Sequence, residues 1–134
     1  MKEKIVFTNG CFDILHRGHF ELLKYSASLG RVVVGLNTDI SVKLNKGIGR
    51  PVNIFDDRKF ALESCKYVSE VIGFDEETPI NLIVAIKPDF IVKGGDYLKD
   101  EVVGANLAEV KIFKLVAGKS TSLLLSKIKE NDQL

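Results

Sequence analysis

Apolar residues recur along the chain with two different periods. Short β-branched or aromatic runs stand at Ile5-Val6-Phe7, Val32-Val33-Val34, Val71-Ile72, Phe90-Ile91-Val92 and Ile112-Phe113, with longer mixed segments between them. The first connecting segment sets Phe20, Leu22, Leu23, Ala27 and Leu29 at helical spacings. It stops at Gly30, a residue free to take the left-handed conformation past a helix end, so a helix over residues 18–29 is predicted. Asn53 precedes a second helix as its cap, with Asp56 and Asp57 near the positive end. Phe60, Ala61, Ser64 and Cys65 share one side of it, which places Cys65 in the core. Thr78-Pro79 supplies a capping hydroxyl and a preset φ for a third, in which Ile80, Ile83 and Val84 give the buried face and Lys87-Pro88 the stop. Ser120, Thr121 or Ser122 caps a last helix with Leu124, Leu125 and Ile128 turned inward, Lys127 and Lys129 near its negative end, and a fraying tail over residues 130–134. Strands alternating with helices imply right-handed crossovers and an α/β, Rossmann-like doubly wound sheet of about five parallel strands with helices on both faces.

Composition narrows the class. At 134 residues, 46% hydrophobic and 28% charged, the chain predicts one globular domain over residues 1–134. Nineteen Lys and Arg against eighteen Asp and Glu leave a formal charge of +1, and no global field for gripping polyanions, so nucleic acid is not an expected partner. No apolar run approaches the roughly 18 residues that span a bilayer, and Ile5 to Phe7 is too short for a signal peptide, so no membrane partner is expected. Cys11 and Cys65 form neither a CxxC pair nor a disulfide framework, which fits reduced thiols and a cytoplasmic location.

Ligands of such sheets bind beyond the carboxyl ends of the strands. The loop after the first strand, from Thr8 to His19, delivers both histidines of the chain, His16 and His19, at a predicted helix start. Two imidazoles at i, i+3 lie on one side of a helical turn and can donate to one anionic group. Gly18 between them permits close approach, and free amides at the helix end favour phosphate. The plainer alternative is a pair of capping or surface histidines.

The run Gly10-Cys11-Phe12-Asp13-Ile14-Leu15-His16-Arg17-Gly18-His19 resembles the HxGH signature region of the cytidylyltransferase-like nucleotidyltransferases. Together with Asn37-Thr38-Asp39, Gly49-Arg50-Pro51, Lys93-Gly94-Gly95-Asp96-Tyr97 and Gly118-Lys119-Ser120-Thr121-Ser122, it is similar to the adenylyltransferase domain of bifunctional heptose-phosphate enzymes, and a domain standing without the fused kinase is the expectation. The similarity runs from about Ile5 to Ile128. It implies transfer of a nucleotidyl group from a nucleoside triphosphate to a sugar phosphate in one displacement that releases pyrophosphate. Mg²⁺ is then carried mainly by the triphosphate, with no direct protein ligand, and a homodimer is expected. The attacking phosphate is already anionic at neutral pH, so the chemistry needs charge stabilisation at the α-phosphorus more than a base.

On that resemblance His16, His19 and Lys46 are the expected catalytic residues. Cys11, through its place before the Phe12 backbone, Phe12, Lys43, Gly94 and Asp96 are expected at the nucleotide, and Asp39, Arg50 and Arg58 at the acceptor. The Cys11 thiol itself is expected to be inert. Residues 37–51 read as a mobile basic loop, with Lys46 preferred to Lys43 as phosphate ligand. Lys119, Ser120, Thr121 and Ser122 superficially suggest a P-loop, but that motif needs a glycine where Phe113 stands. The resemblance instead makes them the Ser-Thr-Thr-like segment that holds the β- and γ-phosphates, with Ser122 in place of the usual second threonine. ATP is the expected donor and D-glycero-D-manno-heptose 1-phosphate the expected acceptor. The alternatives are a CTP-dependent enzyme acting on glycerol 3-phosphate or a related polyol phosphate, and a non-catalytic nucleotide-binding module.

Overall fold

A computed structural model describes residues 2–46, 49–114 and 125–129. The chain runs β1 (Ile5–Gly10), α1 (Arg17–Leu29), β2 (Arg31–Asn37), α2 (Asp39–Lys46), α3 (Phe55–Glu63), β3 (Glu70–Phe74), α4 (Ile80–Ile86) and β4 (Phe90–Gly94), then a 3₁₀ turn (Lys99–Glu101) and β5 (Glu109–Phe113). All five predicted strands form, and they pair in parallel in the order β3-β2-β1-β4-β5. The order reverses beside β1, so a crevice opens where the β1 and β4 loops diverge.

The strands are β-branched because both faces of the sheet are covered. Val6, Val32, Val34 and Leu36 pack with Leu22 and Leu23 of α1 and Leu62 of α3, whereas Phe7 and Ile91 pack with Ile83 of α4 and Val110. Alternation along β1 thus sends Val6 to one layer and Phe7 to the other.

Local details differ from the sequence expectations where long-range contacts decide. Gly30 is extended (φ 162°, ψ −157°) rather than left-handed. A side chain there would bring its Cβ to 2.4 Å from the Lys4 carbonyl oxygen, which accepts from the Arg31 amide. Asn53 does not cap α3, because its side chain donates to the Asp13 carbonyl oxygen and Ile54 stands before the helix. The face of α3 also turns the other way: Phe60, Ala61 and Ser64 are exposed, Cys65 is half-buried at the core edge, and Arg58 and Leu62 point in. Thr78 makes no cap on α4, and of its expected buried face Ile83 is buried while Ile80 and Val84 are exposed. Residues 39–46, expected in a loop, are helical: Thr38 Oγ1 accepts from the Ser41 amide, Asp39 sits at the positive end, and Lys43 and Lys46 at the negative end. Residues 125–129 are helical, with Leu125 half-buried and Ile128 exposed. The capping candidates Ser120 to Ser122 lie outside the described residues, as does Leu124.

Candidate active site

At the carboxyl end of β1 the chain must turn from strand to helix within a few residues, and polar side chains make that turn. His16 is the residue before α1, and its Nδ1 accepts from the Gly18 amide at 3.0 Å. His19 Nδ1 in return accepts from the His16 amide at 3.2 Å. The i, i+3 spacing is therefore a reciprocal cap of the kind usually built from Ser and Glu. An Nδ1 that accepts carries no proton, so each neutral ring holds its proton on Nε2, on the side opposite the backbone. The rings lie 3.9 Å apart between centroids, with Phe12 5.3 Å from His19. Burial, with the His16 charge adding to it, pushes His19 down to about 4, which keeps it neutral at physiological pH. Capping and ligand roles, which stood as alternatives in the sequence, are compatible in one geometry.

Asp13 is the hub of the loop. Its fully buried carboxylate accepts from the Val52 amide at 2.7 Å, the Asn53 amide at 2.8 Å and Arg50 Nε at 2.9 Å. Burial alone raises its pKa, but the Asn53 and Val52 amides and the Arg50 guanidinium outweigh it and leave the carboxyl below its ordinary value. Arg50 is thereby pinned at the mouth of the crevice.

Arg58 lies beneath. Its side chain is fully buried, and it donates to the carbonyl oxygens of Asn53 (2.9 Å), Cys11 (2.9 Å) and Asn37 (2.7 Å) and to Asp39 Oδ1 (2.8 Å). Four of the five N–H donors of a guanidinium are committed to the protein. That corrects the acceptor-binding role expected for Arg58, and it ties Asp39 to a structural ion pair. The Cys11 thiol is pushed up by burial against the opposing pull of Lys46, Arg58 and Arg50, which keeps it an unreactive thiol.

These elements enclose a cleft of about 620 Å³ at the crevice. Of the expected residues, His16, His19, Lys46, Cys11, Phe12, Gly94 and Arg50 line it. Lys43, Asp39, Asp96 and Arg58 do not. The helical turn of α2 separates the two lysines: Lys46 at its end lines the cleft, and Lys43, one turn earlier, does not. Lys119, Ser120, Thr121 and Ser122 lie outside the described residues. Sequence reading missed the opposite wall, Asn45, Glu77, Thr78 and Pro79. The available signal is position alone: Glu77 to Pro79 follow the carboxyl end of β3, and the Thr78-Pro79 pattern itself points only to a helix start. Lys93 and Tyr97 close the β4 side, with the Lys93 ammonium 5.1 Å from the Tyr97 ring centre.

A family model described as Cytidylyltransferase-like matches residues 7–132, nearly the whole chain. The chain belongs to the cytidylyltransferase-like family. Its nucleotidyltransferase class, expected from the HxGH run, follows from that membership. The chain is 52% identical over 131 residues to the bifunctional protein HldE of Campylobacter concisus, covering 96% of this chain and 28% of that protein. It is also 52% identical over 130 residues to the bifunctional protein HldE of Helicobacter pylori, again with 96% and 28% coverage. It thus spans a little over a quarter of the length of the curated relatives it matches. Among solved structures, the lipopolysaccharide core biosynthesis protein from Thermoplasma volcanium superposes with a TM-score of 0.71 at 29% identity, over 86% of this chain and 98% of that one. Pantothenate synthetase from Thermus thermophilus shares the fold at 13% identity and a TM-score of 0.60, over 92% of this chain and 64% of that one. Among the described residues of this family member, no helix is long and apolar enough to cross a membrane.

Proposed function

We propose that this domain is a sugar-phosphate adenylyltransferase that transfers AMP from ATP to D-glycero-D-manno-heptose 1-phosphate and releases pyrophosphate. The observation that carries the reading is the pair of histidines whose Nδ1 atoms accept from backbone amides at the start of α1, in a cleft that they line together with Lys46, Lys93 and Arg50. Such a set suits phosphate oxygens. A phosphate oxygen of the acceptor attacks the α-phosphorus, the bond from that phosphorus to the bridging oxygen breaks, and pyrophosphate leaves with the electron pair. No proton has to be removed from the attacking group. The donors act on the negative charge that develops at the α-phosphoryl oxygens and the leaving group.

Among the described residues no group of three or more His, Cys, Asp or Glu is placed to hold a metal, and the Asp13 carboxylate is already filled by Arg50, Val52 and Asn53. Mg²⁺ delivered on the nucleotide belongs to the same reading, and there it would screen the triphosphate charge. The resemblance of Lys93 to Tyr97 to the adenylyltransferase version of heptose-phosphate enzymes supports ATP as donor and a heptose phosphate as acceptor, and the 52% identity to HldE proteins supports a sugar phosphate. The likeness to a lipopolysaccharide core biosynthesis protein also favours a sugar acceptor. A homodimer belongs to the same reading, and light scattering that shows a monomer at micromolar concentration rejects that part. Screening ATP, CTP, GTP and UTP against a panel of sugar 1-phosphates and glycerol 3-phosphate for pyrophosphate release tests the whole. Release with ATP and the heptose phosphate is expected, and turnover confined to CTP with glycerol 3-phosphate rejects it.

A further inference from the structure

Arg58 grips the Cys11 carbonyl oxygen from inside the protein, and the next residue, Phe12, takes a left-handed backbone conformation (φ 45°) that an aromatic side chain adopts only under constraint. The peptide between them is trans, so the Phe12 N–H points opposite to the Cys11 carbonyl. The carbonyl faces the buried guanidinium, and Cys11 and Phe12 both line the cleft. The Phe12 N–H donates to no group among the described residues. A backbone donor beneath a cleft wall, with no partner among the described residues, is poised for an anionic ligand.

We infer that Arg58 is a positioning residue that holds the Cys11–Phe12 peptide with its N–H turned toward the cleft, as a preset donor for nucleotide phosphate. The same guanidinium bonds the Asn37 carbonyl at the end of β2 and the Asn53 carbonyl before α3, so three loops around the cleft are locked to one rigid plane. Lysine cannot replace it, because a single ammonium lacks the planar fork that reaches three carbonyls and Asp39 at once. The inference rests on the reading of the cleft as a phosphate site, and it adds a residue that touches no substrate.

The test uses ¹⁵N-labelled protein and inorganic tripolyphosphate, which has no base and no sugar. In the wild type, tripolyphosphate shifts the Phe12 amide resonance in step with binding. In Arg58→Lys, the Phe12 resonance of the ligand-free protein moves and the tripolyphosphate Kd rises at least tenfold, while the ring nitrogen resonances of His16 and His19 stay in place. In turnover the variant raises KM for ATP and lowers kcat, with KM for the sugar phosphate within twofold of wild type. An unmoved Phe12 resonance in the wild type overturns the inference without any variant. A folded Arg58→Lys of lower Tm but wild-type tripolyphosphate affinity marks a merely structural arginine and also overturns it. The titration needs no reaction, so a wild-type protein that shifts at Phe12 but releases no pyrophosphate from ATP would fail the proposed function and leave this inference standing.

Discussion

Arg50 and Arg58 flank the Asn53 corner and look alike in the sequence, yet they do different work. Arg50 spends its Nε on buried Asp13 and sits at the cleft mouth, with 17% of its side chain exposed. Arg58 is wholly buried and commits four donors to carbonyls of three loops and to Asp39. The same contrast separates the histidine pair, which lines the cleft while giving one nitrogen per ring to the backbone, from the clamp beneath it. A polar residue that lines the cleft is built to meet a ligand, and one buried beneath it with its donors spent is built to hold those that do.

The contrast breaks first at Arg58. Arg58→Ala leaves buried carbonyls without donors and is expected to cost about 2–5 kcal/mol of stability, read as a fall in urea midpoint. Arg50→Ala leaves Asp13 its two amide donors, so its loss of stability should be smaller and its main effect a higher KM for a phosphate substrate. Equal losses of stability in the two variants would erase the distinction.

His16→Ala and His19→Ala should each lower kcat by at least about a hundredfold, because each removes a donor aimed at transition-state charge. Circular dichroism should show the fold retained, with stability reduced by only the ~0.5–2 kcal/mol of a lost helix cap. Near-normal turnover in either variant would return the pair to capping alone.

Lys46→Ala should raise KM for ATP and lower kcat by about tenfold, whereas Lys43→Ala should leave both within about twofold. A reversed pattern in steady-state kinetics would move the phosphate contact one turn back along α2.

The smallest effect is a slope with pH. His19 titrates at about 4 in the folded protein, below its ordinary 6.5, so between those values the unfolded chain binds more protons. The stability this residue contributes is complete above pH 6.5 and is lost as pH falls toward 4. Urea midpoints measured across that window should decline on acidification, and His19→Gln should flatten the decline. An unchanged slope in the variant would show that burial of His19 is not its source.

Much of this was legible in the sequence because local pattern and global fold agree. Each of the five strands carries a short β-branched or aromatic run, and α1 carries a clean helical period ending at a glycine, so their places needed no tertiary knowledge. The HxGH spacing exposed the site for a similar reason, since one short-range turn creates it. What stayed hidden depends on contacts between distant segments. Gly30 is extended because Lys4 crowds it, Asn53 is diverted from α3 by Asp13, and the buried face of α3 was misread because a charged residue, Arg58, occupies it. The helix α2 escaped notice because its apolar positions Ile40 and Leu44 are exposed, and the wall from Glu77 to Pro79 carries no signal beyond the Thr78-Pro79 helix start.

The central claim is that this cleft binds ATP and passes AMP to a sugar phosphate. Parallel steady-state measurements of pyrophosphate release with ATP and with CTP, each with D-glycero-D-manno-heptose 1-phosphate, test it most directly. A few base-specific hydrogen bonds, about 1–3 kcal/mol for each polar group left unpaired, should favour ATP by at least about tenfold in kcat/KM. Equal or reversed preference, or no pyrophosphate from either nucleotide with this acceptor, would contradict the account.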